Sequence, residues 1–148
     1  MIIVEYKLNL KNVHLEYNLS QDDVAKILGV TRSVYTKYEN GYELIPIKHL
    51  LNFCNYFDVS VDYILSLNEI NDKTIYQKKL DFQLIQDRLK EFRKRQKLTQ
   101  EKLALALNTN KSVICNYEKG RYLIATPFLY QICHQYHISA DYLLGRIN

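Results

Sequence analysis

Ser20 to Gly41 reads Ser-Gln-Asp-Asp-Val-Ala-Lys-Ile-Leu-Gly-Val-Thr-Arg-Ser-Val-Tyr-Thr-Lys-Tyr-Glu-Asn-Gly. Thr99 to Gly120 reads Thr-Gln-Glu-Lys-Leu-Ala-Leu-Ala-Leu-Asn-Thr-Asn-Lys-Ser-Val-Ile-Cys-Asn-Tyr-Glu-Lys-Gly, and the two align without a gap. In the first stretch Ser20 is a polar cap ahead of a short helix with Val24, Ile27 and Leu28 on one face. Gly29 permits the positive φ of a tight turn, and Thr31 caps a second helix that ends at Glu39-Asn40-Gly41. In the second stretch Asn108 stands in Gly29's place. Asn is among the few non-glycine residues that visit left-handed geometry, so the turn is expected to persist with some strain. Each stretch therefore predicts two short helices joined by a tight turn.

The repeat extends beyond these stretches. An offset of 79 holds from Leu10/Leu89 to Leu65/Leu144, and it superposes Ala25 on Ala104, Ser33 on Ser112, Cys54 on Cys133 and Asp62-Tyr63 on Asp141-Tyr142. A chain of 148 residues thus divides into two small domains, 1–66 and 80–148, joined by a linker at 67–79. Copies of this size lie near the lower limit for a self-sufficient core, so the two lean on each other or on a second chain. Ile3, Tyr6, Leu10, Val13 and Tyr17 recur at helical spacing and predict a first helix over about Val4 to Tyr17. Pro46 suits the first turn of a fourth helix that carries Leu50, Leu51, Phe53 and Cys54, and Ser60 caps a fifth. The second copy repeats the plan with helices over about Phe82–Gln96, after Pro127, and over Ser139–Leu144. No stretch alternates with period two, so the class is all-α, two tandem five-helix bundles.

The net charge of +4 is unevenly divided. Residues 1–74 carry 7 Lys and Arg against 10 Asp and Glu, a net −3, whereas residues 75–148 carry 13 against 6, a net +7. Attraction to a polyanion falls on the second half. The three cysteines have neither disulfide nor metal-ligand spacing and read as small buried apolar groups. Met1-Ile2-Ile3-Val4 is too short for a signal core, and no apolar run approaches a membrane span, which points to a reduced cytoplasmic protein. His14, His49, His134 and His137 make no metal-ligand spacing with the cysteines, and no nucleophile sits in a recognisable motif. No enzyme, no metal and no cofactor is expected.

The ordered set of motifs resembles the Cro/phage-repressor (XRE-like) helix-turn-helix family in two tandem copies. Three features carry the resemblance: [Ser/Thr]-Gln-x-x-[Val/Leu]-Ala at helix two, Tyr-Glu-x-Gly closing helix three, and Ser-x-Asp-Tyr-[Ile/Leu]-Leu at the end of each copy. It covers nearly the whole chain outside the linker. It implies a compact five-helix bundle, docking of helix three in the DNA major groove, and a prokaryotic or phage transcriptional regulator.

A major groove admits one helix, whose leading turn must hydrogen-bond base edges. The positions that fit are Arg32, Ser33 and Lys37 in copy one, and Lys111, Ser112 and Asn116 in copy two. Arg and Lys suit guanine, and Asn pairs bidentately with adenine, which makes Asn116 the sharpest base-reading candidate; Val34 and Val113 can touch thymine methyls. Gln21 and Gln100 resemble the family's phosphate-contacting glutamine at a helix N-terminus, and Asn40 and Lys119 look like further backbone contacts. Tyr35, Ile114, Tyr38 and Tyr117 face the core at helical spacing, while Tyr42 and Tyr122 are placed to reach phosphates. Family members pair an arginine on helix one with the Glu ending helix three. Arg93 and Glu118 match, with Arg93 also counted among the phosphate contacts on a basic face with Arg88, Lys90, Lys94, Arg95 and Lys97. Copy one has His14 opposite Glu39, a weaker clasp when the imidazole is neutral, which makes it the looser reader, kept for packing or assembly.

Two functions follow. The first is a sequence-specific DNA-binding transcriptional regulator, a repressor, with double-stranded DNA as partner and copy two as the main reader. The 13 linker residues, extended at ~3.3 Å each, reach about 43 Å. Successive major grooves lie roughly 34–36 Å apart, so one chain can act as a pseudo-dimer or assemble as a homodimer. The alternative is an antitoxin-like or adaptor module in which one or both bundles bind protein, with the acidic first domain the candidate for a protein partner. Neither reading involves a membrane.

Overall fold

The computed structural model describes residues 8–71 and 76–148. Among them are ten α-helices and no strand, as the all-α expectation requires. The chain divides into two compact units between Tyr76 and Gln77. The first unit holds α1 (Leu10–Glu16), α2 (Gln21–Leu28), α3 (Arg32–Asn40), α4 (Ile47–Phe57) and α5 (Val61–Ile64). The second holds α6 (Phe82–Arg95), α7 (Gln100–Ala106), α8 (Lys111–Glu118), α9 (Thr126–Tyr136) and α10 (Ala140–Leu143).

Short polar side chains start most of these helices by accepting an orphan backbone N–H. Ser20 and Asp23 form a reciprocal capping box, the Asp23 N–H donating to Ser20 Oγ at 3.1 Å and the Ser20 N–H donating to Asp23 Oδ2 at 2.9 Å. That backbone bond, followed by the Ser20 side-chain bond, holds the Asp23 carboxyl below its ordinary value. The carboxylate half of the box is therefore intact at neutral pH and weakens as pH falls through the lowered value, while the bond to Ser20 Oγ does not depend on it. Thr31, Ser60, Asp81, Thr99, Asn110 and Ser139 cap α3, α5, α6, α7, α8 and α10 in the same way.

The buried positions superpose under the offset of 79. Leu10/Leu89, Val13/Phe92, Val24/Leu103, Ala25/Ala104, Leu28/Leu107, Leu50/Leu129, Phe53/Ile132, Cys54/Cys133, Ile64/Leu143 and Leu65/Leu144 are all buried. Two matched pairs differ in chemistry: Tyr35 fills the place of Ile114, so the first core encloses a phenol there, and Ile47 fills the place of Thr126.

The same offset governs the backbone. Among the described residues positive φ occurs at Asn18/Lys97, Gly29/Asn108, Gly41/Gly120, Asp58/His137 and Ser66/Gly145, five positions in each unit. Each is where the chain leaves a helix and must turn at once. Asn108 adopts φ 60° where Gly29 has φ 70°, so the second turn survives with an asparagine as expected.

Several boundaries depart from the sequence expectation. The first helix begins at Leu10 rather than Val4, and Ile3 and Tyr6 lie outside the described residues. The Asn9 N–H donates to the Ile64 carbonyl at 2.9 Å and its side-chain amide to the Tyr63 carbonyl at 2.8 Å. These tertiary bonds take the place of a helical turn there. Tyr17 caps the end of α1; it is largely exposed, with its ring on Phe57 and its hydroxyl donating to the Phe57 carbonyl. Pro46 stands at the N-cap of α4, one residue before the first turn, whereas Pro127 does sit in the first turn of α9. Leu67 and Asn68 donate to the Asp62 carbonyl and Asn71 accepts from the Ser60 N–H, so residues 67–71 stay on the first unit. Gln77 is bound to the second, its N–H donating to the Arg146 carbonyl.

His137 is exposed and holds φ 54°. A His137→Gly substitution should raise stability by about 0.5–1 kcal/mol, because relief of left-handed strain outweighs the added freedom of the unfolded chain. Urea unfolding of the full chain measures it, with a higher midpoint at unchanged slope as the expected outcome.

Candidate nucleic-acid interface

The exposed surface of each unit is set by a buried corner behind it. Glu118, the last residue of α8, is almost wholly enclosed. Arg93 of α6 grips it with a two-pronged bond, Nε to Oε2 at 2.7 Å and Nη2 to Oε1 at 3.0 Å, while Nη1 donates to the Leu98 carbonyl. Gln100 of α7 donates to the same carboxylate at 3.2 Å. Three helices meet there, and the hydrogen bonds to Glu118 hold the guanidinium above its ordinary value.

The first unit builds the same corner with different chemistry. His14 Nε2 lies 2.9 Å from Glu39 Oε2 and Nδ1 lies 2.8 Å from the Leu19 carbonyl. Both partners are acceptors when Glu39 is ionised, so the imidazolium satisfies both, whereas a neutral ring donates to only one. Gln21 donates to Glu39 and accepts from the Thr36 hydroxyl. Tyr35 is enclosed nearby, its ring edge-on to His14; burial, with the charge of Glu39 added, pushes the phenol well above its ordinary value.

On this frame α3 and α8 expose the side chains expected to read bases. Arg32, Ser33 and Lys37 are exposed in the first unit, as are Lys111 and Ser112 in the second, and Asn116 is half-buried. Val34 and Val113 are half-buried beside them. Tyr35, Tyr38 and Ile114 pack inward, and Tyr117 is half-buried with its hydroxyl accepting from the Ala125 N–H.

The charges around the two helices differ. Arg32 lies 4.0 Å from Asp22, and Lys37 lies 3.5 Å from Glu43. Both candidate cations of the first unit thus face a carboxylate. Among the described residues no carboxylate pairs with Lys111, Lys119 or Arg121 in the second. Under the offset Glu43 becomes Tyr122 and Asp23 becomes Lys102, which removes two of the acids.

The phosphate candidates fall into two groups. Asn40 and Lys119 are exposed at the ends of α3 and α8, as are Tyr42 and Tyr122 in the loops beyond. Gln21 and Gln100 are half-buried and turned onto the corner carboxylates, and Arg93 is spent on Glu118 and Leu98. The basic face of α6 is likewise narrower than its composition implies. Arg88 turns inward to the Tyr142 and Ile147 carbonyls with its guanidinium 4.2 Å over the Tyr142 ring, and Arg95 pairs with Glu91. Lys90, Lys94 and Lys97 remain exposed.

Two residues stand on this surface that the sequence did not single out. Leu105 is 78% exposed on α7, where the first unit has Lys26, in an open cleft shared with Glu101, Lys102, Lys111 and Ser112. Arg121, just past Gly120, donates from Nη1 to Asn116 Oδ1 at 3.2 Å. Its signal was its place directly after the glycine that turns the chain back over α8.

Comparison with known proteins agrees with this geometry. Family models described as "Helix-turn-helix" and "Helix-turn-helix domain" match residues 10–64 and 87–148. An uncharacterized HTH-type transcriptional regulator of Bacillus subtilis, YqaE, is 43% identical over 65 residues, 44% of this chain and 55% of that protein. A second from the same organism, YobD, is 31% identical over 75 residues, 51% of this chain and 67% of that protein. Antitoxin PezA of Streptococcus pneumoniae is 27% identical over 81 residues, 54% of this chain and 51% of that protein. The chain thus spans between half and two thirds of the length of these relatives. No solved structure matches it.

Truncating Arg93 to Ala should cost the second unit about 3–5 kcal/mol, because it leaves Glu118 buried without its cation. Gln100→Ala removes one bond of the same corner and should cost only about 1 kcal/mol. Amide hydrogen exchange on the full chain assigns each loss to its unit; equal losses would show that the guanidinium is not the main support.

Proposed function

The chain belongs to the helix-turn-helix family of the Cro/phage-repressor type, twice over in tandem, and from that premise we propose that it is a sequence-specific DNA-binding transcriptional regulator, a repressor, with residues 80–148 as its principal reader. No catalytic role is assigned to it. One observation carries the choice of reader: among the described residues no carboxylate pairs with Lys111, Lys119 or Arg121, while Arg32 and Lys37 each lie within 4.0 Å of one. Phosphate affinity is largely electrostatic, so the half of the chain at 75–148, with its net +7, gains most from a duplex.

In this reading α8 lies in the major groove with Lys111, Ser112 and Asn116 toward base edges. Lys119 and the second N–H of the Gln100 amide, the first being given to Glu118, stand toward phosphate. Arg93 acts behind the interface by holding α8 in place. The first unit, residues 1–66, serves assembly or protein contact more than reading. Its paired charges and the exposed Tyr42 and Leu44 beside α3 favour that division, and similarity to an antitoxin is in keeping with it.

Fluorescence anisotropy against duplex DNA from the region flanking the chain's own gene, over a salt series, tests the proposal. Contact with ~6–10 phosphates predicts a loss of ~10³–10⁵ in affinity between 50 and 200 mM salt. Asn116→Ala should cost ~1–3 kcal/mol on the specific site only, Lys111→Ala should lower affinity as well, and Arg32→Ala should change little. Equal losses for Arg32→Ala and Asn116→Ala would overturn the assignment of the second unit as main reader. Weak binding at every salt concentration would remove the DNA reading altogether.

A further inference from the structure

We infer that the base faced by Asn116 is a guanine rather than an adenine, and that Arg121 determines this choice by forming a two-residue donor couple with Asn116. The inference rests on the reading of the second unit as a DNA reader and goes beyond it by naming the base and the residue responsible. Arg121 is anchored to Asn116 twice. Its backbone N–H donates to the Asn116 carbonyl at 3.0 Å, and its Nη1 donates to Asn116 Oδ1 at 3.2 Å. The turn before it needs a glycine: Gly120 has φ 75°, a conformation that side chains with a Cβ rarely adopt.

A guanidinium has donors only. The oxygen of the Asn116 amide must therefore face Arg121, which turns the amide nitrogen away from it. Pairing with adenine requires that oxygen to accept from the N6 amino group while the nitrogen donates to N7. Here one of the oxygen's two lone pairs is taken by a cation, and around it the couple offers mainly donors: the Asn116 amide N–H and the other guanidinium N–H groups. Guanine presents acceptors at N7 and O6, whereas adenine places an amino donor where O6 would be. A donor couple finds two acceptors on the first edge, but on the second only N7, beside an amino group that opposes its other donor.

The first unit shows that the fold does not itself demand this couple. Tyr42 occupies the position of Arg121 and its N–H donates to the Lys37 carbonyl at 2.9 Å, making the same turn without a guanidinium. Lys37, in the place of Asn116, is paired instead with Glu43. The Arg121 side chain is exposed and not needed for the turn, so its removal leaves folding intact.

Selection of sites from random-sequence duplexes with the full chain tests the inference, followed by anisotropy on duplexes that differ only at the position where Asn116→Ala relaxes the preference. The wild type should favour guanine over adenine there by about tenfold or more. Arg121→Ala should lose that preference or reverse it, since the freed amide oxygen can then accept from adenine N6, with an unchanged unfolding midpoint. A wild-type preference for adenine, or a guanine preference that survives Arg121→Ala, overturns the inference and leaves the DNA reading standing. The absence of any selected site overturns both.

Discussion

A carboxylate at the C-terminal end of a helix, shut away from water, is the constraint on which each unit depends. Position invites instability twice, since the helix dipole disfavours a negative charge at that end and burial strips its hydration. Glu118 is tolerable only because Arg93 and Gln100 turn their donors onto it. Those donors come from α6 and α7, so meeting the needs of one oxygen pair fixes how three helices sit together. The exposed turn of α8 is presented at a defined angle because its far end is held in this way. Glu39 does the same for α3 with a shorter basic partner and the same glutamine.

The second requirement is geometric. Five turns in each unit must enter left-handed backbone, and only four of those ten positions are glycine. The others place a polar or charged side chain in a conformation that costs about 1–2 kcal/mol for a residue with a Cβ. Short helices in a small bundle have no spare loop length in which to spread such a turn. The strain is therefore a consequence of compactness, offset by the core that each tight turn closes.

What was legible in the sequence follows from how local each cause is. Helix caps, the Gly29/Asn108 turn and the two-helix pattern depend on residues a few places apart, and the structure places them as read. The Arg93–Glu118 and His14–Glu39 pairs were legible for a different reason: the resemblance carried a contact between helices distant in sequence. Where neither locality nor resemblance applied, the sequence could not tell. Asn9 starts α1 at Leu10 through bonds to residues more than fifty places away, and Arg88 left the basic face of α6 for carbonyls near the C-terminus. Composition counts such an arginine as surface charge, while the fold uses it as an internal donor. Arg121 escaped notice because its meaning lies in a side-chain bond to Asn116 that no periodicity encodes.

The two units have kept one fold and separated in their fields. Arg32–Asp22 and Lys37–Glu43 are exposed, and pairs of that kind contribute about 0–1 kcal/mol, too little to explain them as supports. Their consequence is electrostatic. A polyanion approaching α3 meets cations already balanced, and Asp22 and Asp23 stand at the start of α2, where a helix N-terminus would otherwise attract it. In the second unit the second of these acids is replaced by Lys102, and Glu43 by Tyr122. None of these changes touches a buried position or one of the left-handed turns. A duplicated bundle can thus alter what it attracts without altering how it folds, because the residues that hold the helix are buried and the residues that set its field are exposed.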